Sequence, residues 1–249
     1  RDPEMSRGLG DVYKRQLVNC DIVDAVDICT SNDAHFKVAM AAVEAGKPFN
    51  LEKPITLTAE EADILAKAAQ EKNVKNMVCF SYRFKAAARY AKDLIAQGKI
   101  GRVYHVNMQY FQAWGLPRAN CPLVWRYVKS RTGTGALGDL GSHALDLVRF
   151  VTNKEYTRVV GHTGTYVHER PLLDGKGVGK VDVDDFSNYM ADMEDEISVS
   201  FQITRFAYGR GNYQRMEIYG SEGAIVYSLD ATPCLLYTSP SPRDISGSR

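Results

Sequence analysis

Hydrophobic and polar positions follow two different rhythms along this chain, and the change comes near residue 101. Before it, short apolar runs alternate with stretches of helical period. Residues 25–29 are a run of buried-strand type, stopped by Thr30, Ser31, Asn32 and Asp33, residue types that suit a helix N-cap. Residues 34–45 then place Val38, Ala39, Ala42 and Val43 on one stripe and end at Gly46, the residue favoured just past a helix C-terminus. Residues 47–51 predict a second strand, Thr58 with Glu61 a capping box, residues 59–72 a second amphipathic helix, and residues 76–81 a third strand. Strand, helix, strand, helix, strand with short connections predicts crossover units and a parallel sheet. Residues 85–97 follow as a helix closed by Gly98.

Beyond Gly101 the period falls to two. Tyr104, Val106, Met108 and Tyr110 alternate with mostly polar neighbours, as do Ile197, Val199, Phe201 and Ile203, which predicts a half-buried antiparallel sheet. Residues 157–169, 185–193, 215–219 and 224–229 are further strand candidates, and residues 137–151 a helix. The expected class is α/β, with a parallel sheet in residues 17–83 and a second α/β domain with an open antiparallel sheet in residues 84–233. Two lobes imply a cleft, the usual place for a small-molecule site.

Composition narrows the partners. Of 249 residues, 31 are basic and 30 acidic, so the formal charge of +1 leaves no electrostatic footprint for nucleic acid. No run of about 18 apolar residues is available to span a bilayer. Five cysteines form no CxxC pair, which points to reduced thiols and a cytoplasmic setting, and the start has no apolar region of signal-peptide type. A small molecule is the expected partner.

The two ends read differently from the middle. A single DNA stretch that encodes SRGLGDVYKRQ gives, as its reverse complement shifted by one frame, CLLYTSPSPR, the string that begins at Cys234. Residues 1–16 and 234–249 therefore read as an adapter sequence translated at both ends of an insert, 17–233, that is truncated on both sides.

Two groups of residues could carry chemistry. Glu52, Lys53 and Pro54 stand at the end of the second parallel strand, the edge where open α/β sheets bind ligands. Proline restricts Lys53 to extended backbone, which aims its ammonium, although E-K-P by itself also suits a solvated strand end. In GTGALGDLGSHALDLVRF, Asp139 and His143 are four apart and share a face if helical. A carboxylate so placed can fix an imidazole for general-base work, and spacing alone leaves a helix-terminus charge pair or half a metal site equally open. No nearby cysteine or second histidine completes a zinc set, so no metal is expected. DGKGVGK, residues 174–180, has no strand before it or helix after it and reads as a loop between two strands.

Taken together, DAVDICTSNDAHF, NLEKPITLT, CFSYRF, PLVWRY and GALGDLGSHALDLVRF resemble the Gfo/Idh/MocA family of NAD(P)-dependent sugar and polyol oxidoreductases. The resemblance implies that residues 17–83 are the later part of a Rossmann-type dinucleotide domain and that residues 84–233 bind substrate. It implies that Lys53, Asp139 and His143 are catalytic, and that Thr30, Asn32, His35, Glu52 and Lys53 lie along NAD or NADP with Arg83, Trp125 and Arg126. It also implies hydride transfer from an inositol-like or aldose-like hydroxyl carbon, a sugar or polyol substrate, and a homo-oligomer at full length. VDVDD (181–185) and FQITRFAYGR (201–210) are expected to border the substrate. The glycine-rich turn and the acidic residue that reads the ribose would precede Leu17, so these residues do not separate NAD from NADP. A non-catalytic NAD(P)-binding, sugar-responsive regulator and an NAD-dependent glycosidase of the same family are the alternatives.

Overall fold

A computed structural model describes residues 16–230 and 235–239; most of both expected adapter-derived ends lies outside the described residues. The chain divides into two compact units, residues up to Phe80 with Lys129–Gly133, and Ser81–Val128 with the chain from Thr134 onward.

In the first unit the apolar runs become β1 (Val26–Ile28), β2 (Phe49–Leu51) and β3 (Asn76–Val78), joined by α1 (Asn32–Glu44) and α2 (Ala59–Glu71). The strands are parallel in the order β1-β2-β3. Each is only three residues long, shorter than the runs that predict it. Val38, Ala39, Ala42 and Val43 of α1 are buried against Ile28, Leu51 and Leu65, so the stripe faces the core as its period requires. Gly46 ends the helix region at φ +67°, where its N–H bonds to Val43 O and a side chain would be strained. Thr58 caps α2 by accepting from Glu61 N at 3.2 Å, while the Glu61 carboxylate accepts from Leu57 N at 3.3 Å, one residue earlier than the usual reciprocal bond.

The second unit contains α3 (Ala86–Ala96), β4 (Val103–Phe111), α4 (Ser142–Thr152), β5 (Tyr156–Gly164), β6 (Glu169–Pro171), β7 (Val178–Lys180), β8 (Phe186–Met193), β9 (Ser198–Thr204), β10 (Tyr213–Gly220), β11 (Ala224–Ser228) and β12 (Leu235–Thr238). Among the described residues, seven strands form one sheet in the order β12-β11-β10-β4-β9-β8-β5. Inward residues Val106, Met108, Val199, Phe201, Met216 and Ile218 meet Ala88, Ala91, Leu94, Ala144, Leu147 and Val151 from α3 and α4 in one core.

Four expectations are corrected. The sheet is mixed, because β4 and β9 pair parallel at its centre while their neighbours are antiparallel. The strand expected over 157–169 breaks, since Thr165 donates to Val183 O and the Asp185 carboxylate captures Tyr166 N and Val167 N. The helix expected over 137–151 opens with a wide π-type turn, Leu137–Gly141. Of DGKGVGK, residues 174–177 belong to the turn of the β6–β7 hairpin, with Asp174 accepting from Lys176 N at 2.9 Å, and residues 178–180 are β7 itself, paired with β6 where a loop was expected. Strand β12 lies within the expected adapter-derived end, yet it pairs with β11 through main-chain groups that are indifferent to side-chain identity.

The cap of α2 is directly testable. Thr58→Ala removes one acceptor from an otherwise orphaned helix N–H and is expected to lower stability by about 1 kcal/mol, with Thr58→Asp near neutral, in urea unfolding followed by circular dichroism.

Candidate active site

The C-terminal ends of β1 and β2 carry Thr30 and the Glu52-Lys53-Pro54 segment, and one imidazole ties them together. His35, buried on the first turns of α1, sits between two carbonyl oxygens, Nδ1 2.8 Å from Pro54 O and Nε2 3.2 Å from Thr30 O. The Lys53–Pro54 peptide is cis. Lys53 N–H donates to the Glu52 carboxylate at 3.2 Å. Asn32 donates its amide to Thr132 O at 3.0 Å and to Thr132 Oγ1 at 3.3 Å, and Arg131 pairs with Asp33 at 2.7 Å, so the helical turn Lys129–Thr132 is held at the start of α1. Asn32 and His35 thus shape the strand ends through bonds within the protein. Thr30 Oγ1 is different: it is buried and has no hydrogen-bond partner among the described residues.

In the second unit the GTGALGDLGSHALDLVRF segment is pinned before it becomes α4. The Asp184 carboxylate accepts from Gly135 N and Leu137 N, both at 2.7 Å, and Asp184 O accepts from Ala136 N at 2.9 Å. Gly135 runs so close that an added Cβ would lie 1.8 Å from Asp184 O, which only glycine avoids. Asp139 sits in the π-type turn with its side chain 20 % exposed and bonds at 3.0 Å to Nη2 of Arg205, which is 0 % exposed. His143 follows on α4, 9 % exposed.

A ring of hydroxyl and amide groups edges His143. Tyr82 meets the imidazole edge-on at 4.8 Å between centroids, and Tyr110 lies at 6.4 Å. Tyr110 donates to Asn212 Oδ1 at 2.7 Å and accepts from Tyr82 at 2.7 Å, while Asn212 Nδ2 donates back to Tyr82 Oη at 3.1 Å. Gln112 donates to Asn212 Oδ1 at 3.0 Å and accepts from Trp114 Nε1 at 2.5 Å. Burial, and then the bond from Tyr82, push the Tyr110 phenol well above its ordinary range, so it stays a neutral hydroxyl.

The remaining expected residues are placed as follows. Arg83 is engaged by the buried Asp146 carboxylate through Nε at 2.7 Å and through Nη2. Trp125 is half-buried in a 3₁₀ turn, and the exposed Arg126 lays its guanidinium 4.4 Å from the Trp125 ring centroid. In VDVDD, Asp184 and Asp185 hold backbone N–H groups instead of facing outward. Arg205 and Asp184 fall in segments flagged only as bordering substrate, while Gln112, Trp114 and Asn212 carry no motif. Among the described residues no group of three or more His, Cys, Asp or Glu could hold a metal ion, and no helix is long and apolar enough to cross a membrane. A cavity of about 900 Å³ over β5 and β8 is lined mainly by Leu137, Leu145, Tyr156, Val159 and Val160 and holds none of the proposed catalytic groups.

Residues 88–226 match the family profile described as GFO/IDH/MocA C-terminal domain, and residues 11–80 match that of the oxidoreductase family with NAD-binding Rossmann fold. The chain belongs to the Gfo/Idh/MocA family. Within the family it is 37% identical over 228 residues to levoglucosan dehydrogenase of Pseudarthrobacter phenanthrenivorans, covering 87% of this chain and 58% of that enzyme. The chain therefore spans little more than half the length of that relative. An oxidoreductase domain protein from Kribbella flavida superposes with TM-score 0.88 at 38% identity, covering 98% of this chain and 67% of the other. A levoglucosan dehydrogenase in complex with NADH and levoglucosan superposes with TM-score 0.83 at 34% identity, covering 97% and 70%.

Gly135 supplies the test of this geometry. Gly135→Ala forces a methyl into the Asp184 carbonyl, and the expected loss exceeds about 3 kcal/mol, the upper end for overpacking, read as a fall in the melting temperature of the second unit by differential scanning calorimetry.

Proposed function

We propose that this chain is the central portion of an NAD(P)-dependent dehydrogenase that oxidises a hydroxyl carbon of a sugar, anhydrosugar or polyol. The setting of His143 carries the reading. A mostly buried imidazole stands four residues from a carboxylate, beside linked phenol and amide groups of the kind that recognise several hydroxyls on one small ligand. The relatives named as acting on levoglucosan support the carbohydrate class.

The residues present fit a nicotinamide dinucleotide. Thr30 Oγ1, buried and unpartnered among the described residues at a parallel-sheet edge, is a polar group awaiting a ligand, and Glu52 and Lys53 end the adjacent strand. In this reading Thr30, Glu52 and Lys53 hold the cofactor, His35 and Asn32 support them, and Arg83, Trp125 and Arg126 are retained as further contacts. Bound NAD or NADP supplies the carbon that accepts hydride. His143 takes the hydroxyl proton, oriented through Asp139. Lys53 places its cation where negative charge develops on the oxygen. Tyr82, Gln112 and Asn212 bind the other hydroxyls.

Absorbance at the reduced-nicotinamide band, with the gene product at the length of its relatives and a panel of anhydrosugars, aldoses and inositols, tests the proposal. Turnover is expected with NAD or NADP, and Lys53→Ala or His143→Ala should each lower kcat/KM by at least about 10²-fold. Cofactor binding by fluorescence titration without reduction in any combination would sink the dehydrogenase reading.

A further inference from the structure

Arg205 is among the largest fully buried side chains of the described residues, and its surroundings are unusual for a cation. Its guanidinium lies 4.6 Å from the Trp114 ring centroid and 5.8 Å from that of Tyr127. Nη2 alone makes hydrogen bonds, to Asp139 Oδ2 at 3.0 Å and Gly135 O at 3.1 Å, and Nε and Nη1 have no partner among the described residues. A buried cation is tolerated only when an anion or several dipoles meet it, and Asp139 is the carboxylate that does so. The other charged groups of this region are committed elsewhere. Arg170 donates to Cys121 O and Gly115 O, Asp184 and Asp185 accept from backbone N–H groups, and Asp146 holds Arg83. Burial keeps the phenols of Tyr110, Tyr127 and Tyr189 neutral, and the Tyr82 hydroxyl is bonded to Tyr110.

We propose that Arg205 is a positioning residue of the site, holding the Asp139 carboxylate ionised and oriented and tempering the negative field that carboxylate exerts on His143. The inference rests on the dehydrogenase reading for its role in catalysis, but the electrostatic coupling itself does not. Asp139 precedes His143 by four residues, and a carboxylate whose field reaches an imidazole favours its protonated form; the Arg205 cation on Asp139 opposes that effect. Because Nη2 also grips Gly135 O, the same group fixes both the start of the π-type turn and the carboxylate inside it.

Removing a positive charge raises the proton affinity of Asp139 and of His143 alike. The acid limb of kcat/KM for oxidation therefore moves to higher pH whichever of the two limits it, by about one to three units where Asp139, paired directly with Arg205, is the limiting group. Arg205→Met and Arg205→Gln both remove the charge; Gln keeps a donor toward Asp139 and serves if Met does not fold. Arg205→Lys keeps the charge without the fork, and should leave the limb in place while lowering kcat. The second readout needs no turnover: the imidazole titration of His143 by NMR, its resonance assigned by loss in His143→Gln. An upward move of at least about one unit in Met or Gln, and none in Lys, is expected. An unmoved His143 midpoint in the neutral variants, with only melting temperature reduced, would make Arg205 merely structural and overturn the proposal. A moved midpoint in a protein that never reduces NAD or NADP would retain it while removing the dehydrogenase reading.

Discussion

A charge withdrawn from water has to be answered by another charge or by oriented dipoles, and the chemistry-bearing end of the second unit is arranged around that requirement. Asp184 answers the free N–H groups where the GALGDLG turn begins, and Asp185 answers those where the strand beyond β5 breaks off. Arg205 then answers Asp139 in the middle of the turn, and Arg83 answers Asp146 on α4. The turn that carries Asp139 is thus held through its main chain from the loop before β8 and through its carboxylate from the end of β9. The partners in each of these pairings lie far apart in the sequence, so the arrangement exists only after the sheet has assembled.

How much of this could be read from the chain alone depends on range. The caps and stripes of α1 and α2 act within a few residues, and Thr58, Gly46 and the Val38–Val43 stripe stand where the pattern puts them. The β6–β7 hairpin is equally local. The parallel pairing of β4 with β9 is not, since alternation reports which face is buried and says nothing of a partner's direction. Asp139 and His143 stand out by spacing, while Arg205 lies 66 residues beyond Asp139, in a segment expected to border substrate but with nothing local to pair it with that carboxylate. A signal was nonetheless present. Val199, Phe201, Ile203 and Arg205 share one phase of the alternation, and a cation in the inward phase demands a buried counter-group. Tyr110, in phase with Val106 and Met108, marks its inward hydroxyl in the same way.

The proposed cofactor edge of the first unit sets a different demand, that of leaving a polar group for a ligand to meet. The His35 ring lies within hydrogen-bond distance of the carbonyls of Thr30 and Pro54 and so ties two strand ends together, while the hydroxyl of Thr30 has no partner among the described residues. Bracing the main chain and sparing one side chain gives a rigid edge with an open valence, the combination a recognition site needs and a core does not. Asn32 extends the bracing to the turn at Lys129–Thr132, which returns to this unit after the chain has already entered the other.

The central strand pair of the large sheet also has a meaning for how the molecule comes into being. Gln109 of β4 and Gln202 of β9 face each other although they are 93 positions apart in the sequence, and every other strand of that sheet lies outward from this pair. Loop closure of that length must come before the pairing can reward it, which slows the search and places the rate-limiting event late. During synthesis, β4 is made well before β9 exists to pair with its edge. The nascent chain therefore carries β4 unpaired along this edge while residues 112–197 are made, and this interval exposes it to aggregation.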